Sequence, residues 1–420
     1  LDDLQEEIDM RFDIEDVPAA IRATKQTLRA ALPERTRVFR ELEGELARQV
    51  DEIRRDEALG RDVIPVLHSA DIASNRVAPG APAAIRRRGA CVIRGVFDAQ
   101  QARDWNDEID AYVDANRLDA RLAHRAEDRY FGALASSRPQ IYGIYWSRPQ
   151  VLARQSVELT RVRAFLNGLW RAHAGLDPSR VPAYADRLRR RPPGSASLGL
   201  SPHVDGGSVE RWLGPNFRQV YRHVLAGDWR GYDPYDPAFR PEAEEIPSPA
   251  VCSMFRTFQG WTALTAQGPG DGTLQLIPVA NAMAYVLLRA LQDDVADDDL
   301  CGARPARALS ILPEWHALLL DALVPIPAMQ PGDAVFWHCD VVHAVEDQHR
   351  GSGYSNVMYI AAAPACAKNS AYVRRQWASF ARGESPPDFP ADHFETDFAG
   401  RGMAVDLSAL GREQMGAEPA

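Results

Sequence analysis

Apolar residues recur at helical spacing early in the chain. In RVFRELEGELARQVDEIRR, Val38, Leu42, Leu46 and Val50 fall on one stripe. Residues 2–58 are rich in Glu, Arg, Ala and Leu, and they predict two or three helices interrupted near Pro18 and Pro33. The pattern changes near residue 60. GACVIRGVF (89–97) reads as a buried strand, and DAQQARDWNDEIDAYVDAN (98–116) as a helix capped by Asp98. QIYGIYWS (140–147) is a further strand, and VELTRVRAFLNGLWRAH (157–173) an amphipathic helix with Leu159, Val162, Phe165, Leu166 and Leu169 on one side.

From about residue 195 the texture is short apolar runs separated by Gly, Pro and Asp: SASLGLSPHVD, AVCSMFRTFQGWTALTA, GTLQLIPV, DAVFWHCDVVHAV and YSNVMYIAAAP. Many short strands with turn signals predict a sandwich or barrel. Residues 213–248, rich in Tyr, Trp, Asp and Pro, predict a structured loop near one end of it. From residue 367 the chain returns to a helical and irregular texture. The expectation is therefore a helical extension (1–60), a β domain (61–380) carrying the 213–248 insertion, and a tail (381–420) packed on the core.

Composition narrows the class. At 420 residues, 45% hydrophobic and 25% charged, the chain lies in the ordinary globular range. A net charge of −10 argues against a nucleic-acid partner, which asks for a basic face. No run of 18 apolar residues occurs, so no membrane partner is expected. The five cysteines, at 91, 252, 301, 339 and 366, are odd in number and lack zinc-ligand spacing, which points to a reducing cytoplasm rather than a disulfide framework. Cys252 and Cys339 lie in apolar runs, where cysteine acts as a small hydrophobe.

The candidate chemistry sits in SLGLSPHVDGGSVERW. His203 and Asp205 are two apart, so on a strand both side chains leave the same face. An imidazole nitrogen beside a carboxylate oxygen supplies two ligands of a facial triad for Fe(II). Gly206 and Gly207 then let the chain turn away. In MQPGDAVFWHCDVVHAVED a Pro-Gly-Asp turn starts an apolar strand, and His343 at its far end closes the triad if the two strands are neighbours. His338 and Asp340 in the same segment compete. His343 is preferred because it stands at the strand terminus, where the barrel opens.

Several segments carry a family likeness: IYWSRPQVLARQ, SLGLSPHVDGGSVERW, FRTFQGWTAL, GTLQLIP, PGDAVFWHCDVVHAV and NVMYIAAAP. In these the chain resembles the phytanoyl-CoA-dioxygenase-type oxygenases, and within them the YbiU-like domain of unknown function. The resemblance implies an α+β fold with a mostly β core, a double-stranded β-helix (jelly roll) with helical N-terminal extension and supporting helices. It also implies Fe(II), with 2-oxoglutarate and O2 as cosubstrates. The expected activity is hydroxylation or desaturation of a small-molecule C–H bond, with release of succinate and CO2. Asp205 fills the position that a halide takes in related halogenases, which favours hydroxylation or desaturation.

The remote carboxylate of 2-oxoglutarate asks for a basic partner, for which a bidentate arginine is the usual solution. The wider family places that residue at the start of the strand after the distal histidine. Here Tyr354 stands there, with Asn356 where a hydroxyl residue often helps. Arg350, in the loop entering that strand, is the first candidate anchor; a solvated loop arginine is its plain alternative. Arg256 is the second, although alternation puts it on the face opposite Trp261, which the resemblance places in the cosubstrate pocket. Arg148 is the third. Glu210, Arg211 and Trp212 follow the glycine turn, and Trp146, Trp229, Tyr232 and Tyr235 are candidates for a substrate rim or for plain core. Two other readings stay open: a cupin-like metal-dependent hydrolase or isomerase that ignores 2-oxoglutarate, and a non-catalytic jelly-roll binding protein.

Overall fold

The structure is a computed structural model that describes residues 14–122, 140–197, 201–243, 252–305 and 307–417. Residues 1–13 of the N-terminal stretch, 198–200 of SASLGLSPHVD, and 244–251, which include the end of the 213–248 insertion, lie outside the described residues.

The first helix, Val17–Ala31, begins where the Asp16 side chain accepts from Ala19 N at 2.9 Å. Pro18 sits in its first turn, where a missing N–H costs nothing, so this proline opens the helix instead of interrupting it. The second helix, Arg35–Ala58, buries Val38, Leu42, Leu46 and Val50, joined by Phe39 and Ile53. Both helices share one apolar cluster with the sheets. The buried Lys25 fastens the first of them, donating to the carbonyls of Val295, Ala296 and Asp299 at 3.3, 2.7 and 2.9 Å. Burial pulls its pKa down to about 8. Lys25→Met would leave those carbonyls without their donor. It should lower stability by about 1–3 kcal/mol in a denaturant titration, and a midpoint equal to wild type would refute the fastening role.

Among the described residues twelve strands form two sheets. In chain order they are β1 Val66–His68, β2 Ala90–Arg94, β3 Ile141–Tyr142, β4 Leu188–Arg191, β5 His203–Val204 and β6 Phe258–Ala263. There follow β7 Leu274–Leu276, β8 Leu309–Ser310, β9 Val324–Pro325, β10 Ala334–His338, β11 His343–Val345 and β12 Ser355–Tyr359. The seven-stranded sheet runs β1-β2-β10-β6-β12-β4-β3, and the five-stranded sheet β8-β5-β11-β7-β9. Every pair is antiparallel except β1 with β2.

Alternation gives the larger sheet two different faces. Trp261, Ala263, Val335, Trp337 and Val357 pack toward Val204, Leu274, Leu276, Leu309 and Val324 of the smaller sheet, which makes the inter-sheet core. Phe258, Phe336, Met358, Leu188 and Ile93 face outward, under Trp105, Ile109, Leu159, Val162 and Leu166 from helices Ala99–Ala115 and Val157–Asn167. Asp98 caps the former, accepting from Gln100 N and Gln101 N.

The fold is mixed α/β, and helical residues outnumber strand residues, against the expectation of a mostly β core. No ladder joins the two sheets among the described residues, so they do not close a hydrogen-bonded barrel. Two helices, Ala282–Arg289 and Pro313–Leu320, interrupt the β-like stretch. In the first, every side chain from Ala282 to Leu288 is buried, which erases the helical period from the pattern. QIYGIYWS is strand only at Ile141–Tyr142. Beyond it the Glu395 carboxylate takes the N–H groups of Tyr145 and Trp146 at 2.6 and 2.9 Å, in place of a neighbouring strand. No helix of the described residues is long and apolar enough to cross a membrane.

Candidate metal centre

His203 and His343 are direct cross-strand partners on β5 and β11, so the fold itself sets the two imidazoles side by side. Their ring centroids lie 4.3 Å apart. Asp205 follows β5 and brings its carboxylate between them. Its Oδ1 is 3.6 Å from His203 Nε2 and its Oδ2 is 3.5 Å from His343 Nε2. Those gaps exceed a hydrogen bond, yet two ligands at about 2.1 Å from a shared ion would span them. Gly206 and Gly207 have φ of +87° and +98°, the left-handed region that a turn straight after a ligand demands.

The histidine tautomers follow from the backbone. His203 Nδ1 lies 2.6 Å from Ser201 O and His343 Nδ1 3.2 Å from Val341 O, so each Nδ1–H donates to a carbonyl. Each Nε2 is then the lone-pair nitrogen, as metal ligation requires. Burial, aided by His343, lowers the His203 pKa to about 4, so its ring is neutral at physiological pH. Gln259 on β6 steadies the carboxylate. Trp337 Nε1 donates to Gln259 Oε1 at 2.5 Å, which turns the amide so that Nε2 donates to Asp205 Oδ2 at 3.0 Å. Two imidazoles and one oriented carboxylate on one side fit a divalent first-row metal such as Fe(II).

The competing pair is otherwise engaged. His338 Nδ1 accepts from Asp340 N at 3.0 Å, and its Nε2 donates to Pro234 O at 2.9 Å. The ring stacks on Trp170 at 4.9 Å. Asp340 is buried between Arg211 (3.0 Å) and Arg240 (2.6 Å), with the Tyr221 hydroxyl at 2.9 Å. A metal at the His338, Cys339 and Asp340 group would displace those partners.

Arg211 joins this network to the metal centre. Its NH2 donates to Asp205 O at 2.7 Å and its Nε to Gly207 O at 3.2 Å. Tyr221, Tyr232 and Arg240 of the 213–248 stretch all converge on Asp340, which anchors the insertion at the end of the sheets that carries His343. Trp212 is core, donating to Leu287 O, while Tyr235 donates to Ile85 O and Trp146 to Glu384 O. Glu210 accepts from Ser208 N within the turn. Trp229 packs in the main core.

The structure does not bring four of the candidate cosubstrate residues to the metal group. Arg350 lies in an exposed loop, and Tyr354 is 46% exposed. Asn356 points outward to Asn106 of helix Ala99–Ala115, at 2.8 Å. On β12 the inter-sheet face belongs instead to Ser355 and Val357, the neighbours of inward-facing residues. Arg148 pairs on the surface with Glu108 and Asp406. Trp261 does lie in the inter-sheet core.

Arg256 changes face. Thr257 N and Phe258 N both donate to Ala362 O, at 2.9 and 3.4 Å, so two residues oppose one in a β-bulge. The extra residue reverses the alternation and turns Arg256 to the side of Gln259 and Trp261. There it meets Cys252, Tyr184 and Asp186.

One residue escaped the sequence reading. Arg189 on β4 pairs with Val357, which puts its side chain on the inter-sheet face. It is 2% exposed, its Nε has no hydrogen-bond partner among the described residues, and NH2 reaches Gly272 O only at 3.5 Å. No carboxylate is within ion-pair reach of it among the described residues. Arg191, on the same face, is spent on the carbonyls of Gly272 (2.9 Å) and Glu346 (2.8 Å). The signal was LRRR at 188–191, where alternation sends two of three arginines inward.

Known relatives share this architecture. The "Gig2-like" family description matches residues 15–417. YbiU of Escherichia coli (strain K12) is 44% identical over 407 residues, 96% of each chain. The crystal structure called "Putative Oxidoreductase from Salmonella typhimurium LT2" has a TM-score of 0.92 at 43% identity, covering 96% of this chain and 98% of that one. GlcNAc Inducible Gene 2 (GIG2, DUF1479) from Candida albicans has a TM-score of 0.79 at 25% identity, over 95% of this chain and 89% of its own. This chain belongs to the Gig2-like family.

Proposed function

We propose that the protein is an Fe(II)- and 2-oxoglutarate-dependent oxygenase acting on a C–H bond of a small molecule. The observation that carries this reading is the convergence of His203 Nε2, His343 Nε2 and the Asp205 carboxylate, each oriented by its own outer hydrogen bond. The strand order supports it. We read β4-β12-β6-β10 facing β5-β11-β7-β9 as the two four-stranded halves of a double-stranded β-helix, with β1, β2, β3 and β8 as outer additions.

When bound, the iron would supply the O2-dependent oxidation, coupled to conversion of 2-oxoglutarate into succinate and CO2. The chain's own residues bind and orient. His203, Asp205 and His343 would hold the metal, and as three ligands they would leave it able to take the cosubstrates. Gln259 and Arg211 keep Asp205 in place through its carboxylate and its carbonyl. Trp261, Trp337, Val357 and Leu276 wall the inter-sheet space with apolar surface that excludes water.

Arg189 is the residue to receive the remote carboxylate of 2-oxoglutarate. Burial pulls its pKa down against the opposing influence of Tyr359 and Glu346, and a buried guanidinium without a counter-charge is costly. A dianionic ligand between the sheets would relieve that cost. Arg189→Met should raise the 2-oxoglutarate requirement roughly ten- to a thousandfold, from about 1.5–4 kcal/mol of lost pairing, with iron affinity little changed. An unaltered requirement would remove Arg189 from this role.

Anaerobic Fe(II) titration with and without 2-oxoglutarate tests the whole reading. The oxygenase should develop a visible iron-to-keto-acid charge-transfer band. Metal uptake with no band on adding 2-oxoglutarate would support the hydrolase or isomerase, and failure to take up metal would support the binding protein.

A further inference from the structure

Arg256 is a charged group that the reading above leaves without a task. Its side chain is only 10% exposed, yet NH1 stands 3.9 Å from Asp186 Oδ2, beyond hydrogen-bond reach. Its one hydrogen bond among the described residues runs from NH2 to Cys252 Sγ at 2.9 Å, and a thiol is a weak acceptor. The guanidinium lies over the Tyr184 ring, 4.9 Å from its centroid, which fixes the plane of the fork. Burial pulls its pKa down, but Cys252, Tyr184, Asp186 and Asp205 outweigh that and leave it raised, so it is charged at every physiological pH.

A second observation points to the same place. The Tyr372 hydroxyl is fully buried and has no hydrogen-bond partner among the described residues. Asp388, Cys252, Asp186 and Arg256 are the charged and polar groups acting on it. Tyr184, Met254, Ala361, Ala363 and Tyr372 form a small apolar cluster around this spot. The bulge at Thr257 and Phe258 gives the site its direction, because without it Arg256 would point into the helical layer. The bulge puts this cation on the face of Gln259, whose amide holds the Asp205 carboxylate at 3.0 Å, and bulges that re-aim a side chain are over-represented beside active sites.

We propose that Arg256 receives the carboxylate of the primary substrate, a monocarboxylate held at the mouth of the inter-sheet space beside Asp205. This rests on the oxygenase reading and deepens it: Arg189 serves the cosubstrate deep between the sheets, and Arg256 the substrate at the mouth. A planar guanidinium whose plane is fixed matches the two oxygens of a carboxylate. Asp186, 3.9 Å from the guanidinium, disfavours a second negative charge on the ligand.

The test uses the full chain loaded with Mn(II), which broadens the proton NMR signals of molecules bound near it, with 2-oxoglutarate saturating so that the cosubstrate position is filled. Probes are butyrate, phenylacetate, N-acetylglycine and hippurate, each paired with its primary amide. At least one acid should broaden where its amide does not. Arg256→Gln should weaken that binding roughly ten- to a hundredfold. Arg256→Lys should retain part of it. Acid and amide behaving alike, no probe binding, or Arg256→Gln abolishing 2-oxoglutarate binding while the acid still binds would each overturn the proposal. Loss of the charge-transfer band in the wild-type protein would instead strike the oxygenase reading, and the two failures are read separately.

Discussion

Asp205→Ala is expected to abolish Fe(II) retention while the protein stays folded. The carboxylate faces both Nε2 atoms, so its removal deletes the anionic ligand and leaves only the two imidazoles. Two imidazole nitrogens alone give the ion too few ligands and no neutralising charge. Losing an outer hydrogen-bond partner of a ligand already costs roughly 10–100-fold in metal affinity, and losing the ligand itself should cost more. The fold should survive because the Asp205 side chain is 22% exposed and its backbone carbonyl stays gripped by Arg211. His203→Ala and His343→Ala should behave alike. Anaerobic titration would read the metal, and circular dichroism the fold. If His338→Ala were the variant that released the metal while His343→Ala kept it, the ligand assignment would be wrong.

The parts of this site that were legible in the sequence are those that rest on short-range geometry. His203 and Asp205 share a face because a strand alternates, and the Gly206–Gly207 turn is visible as two residues that tolerate positive φ. The helical stripe from Val38 to Val50 was equally plain, since a solvated outer face keeps its period visible. What escaped depends on register and on pairing. Tyr354 and Asn356 were counted from the distal histidine, but the β12 register against β6 turns Ser355 and Val357 inward and those two outward. Arg189 hid in a polar-looking LRRR strand, whose inward face is known only once Val357 is seen opposite. Arg256 lies on the face opposite to the one that alternation predicts, for a related reason. A bulge adds one residue to one strand and leaves no mark in composition, so parity counted back from Trp261 failed at Thr257. Ala282–Arg289, buried on all sides, has no period to read.

The largest stability effect is expected from Asp340→Asn. The carboxylate is 1% exposed and serves two guanidiniums, Arg211 at 3.0 Å and Arg240 at 2.6 Å, and the hydroxyls of Tyr221 and Tyr232. Burial alone would raise its pKa, but Arg240 and Arg211 outweigh that and hold it far below the usual carboxylate range. Asparagine keeps the shape and removes the charge, so two buried cations lose their shared counter-ion. Breaking a buried pair in this way costs about 3–5 kcal/mol. The pH dependence follows from the depressed folded value. Asp340 contributes its full stabilisation above an unfolded pKa of about 3.9, and loses it as pH falls toward the much lower folded pKa. The gap between wild type and Asp340→Asn should therefore be widest near neutrality and narrow as the solution is acidified below about pH 4. Urea titrations at a series of pH values would measure it. Because Arg211 also holds the carbonyls of Asp205 and Gly207, the variant should bind Fe(II) more weakly even where it remains folded. Arg240→Met, which leaves Asp340 paired to Arg211, should be milder on both counts. A gap under about 1 kcal/mol at pH 7, or one that widened in acid, would mean that the Asp340 charge does not bear on stability in the way its partners imply.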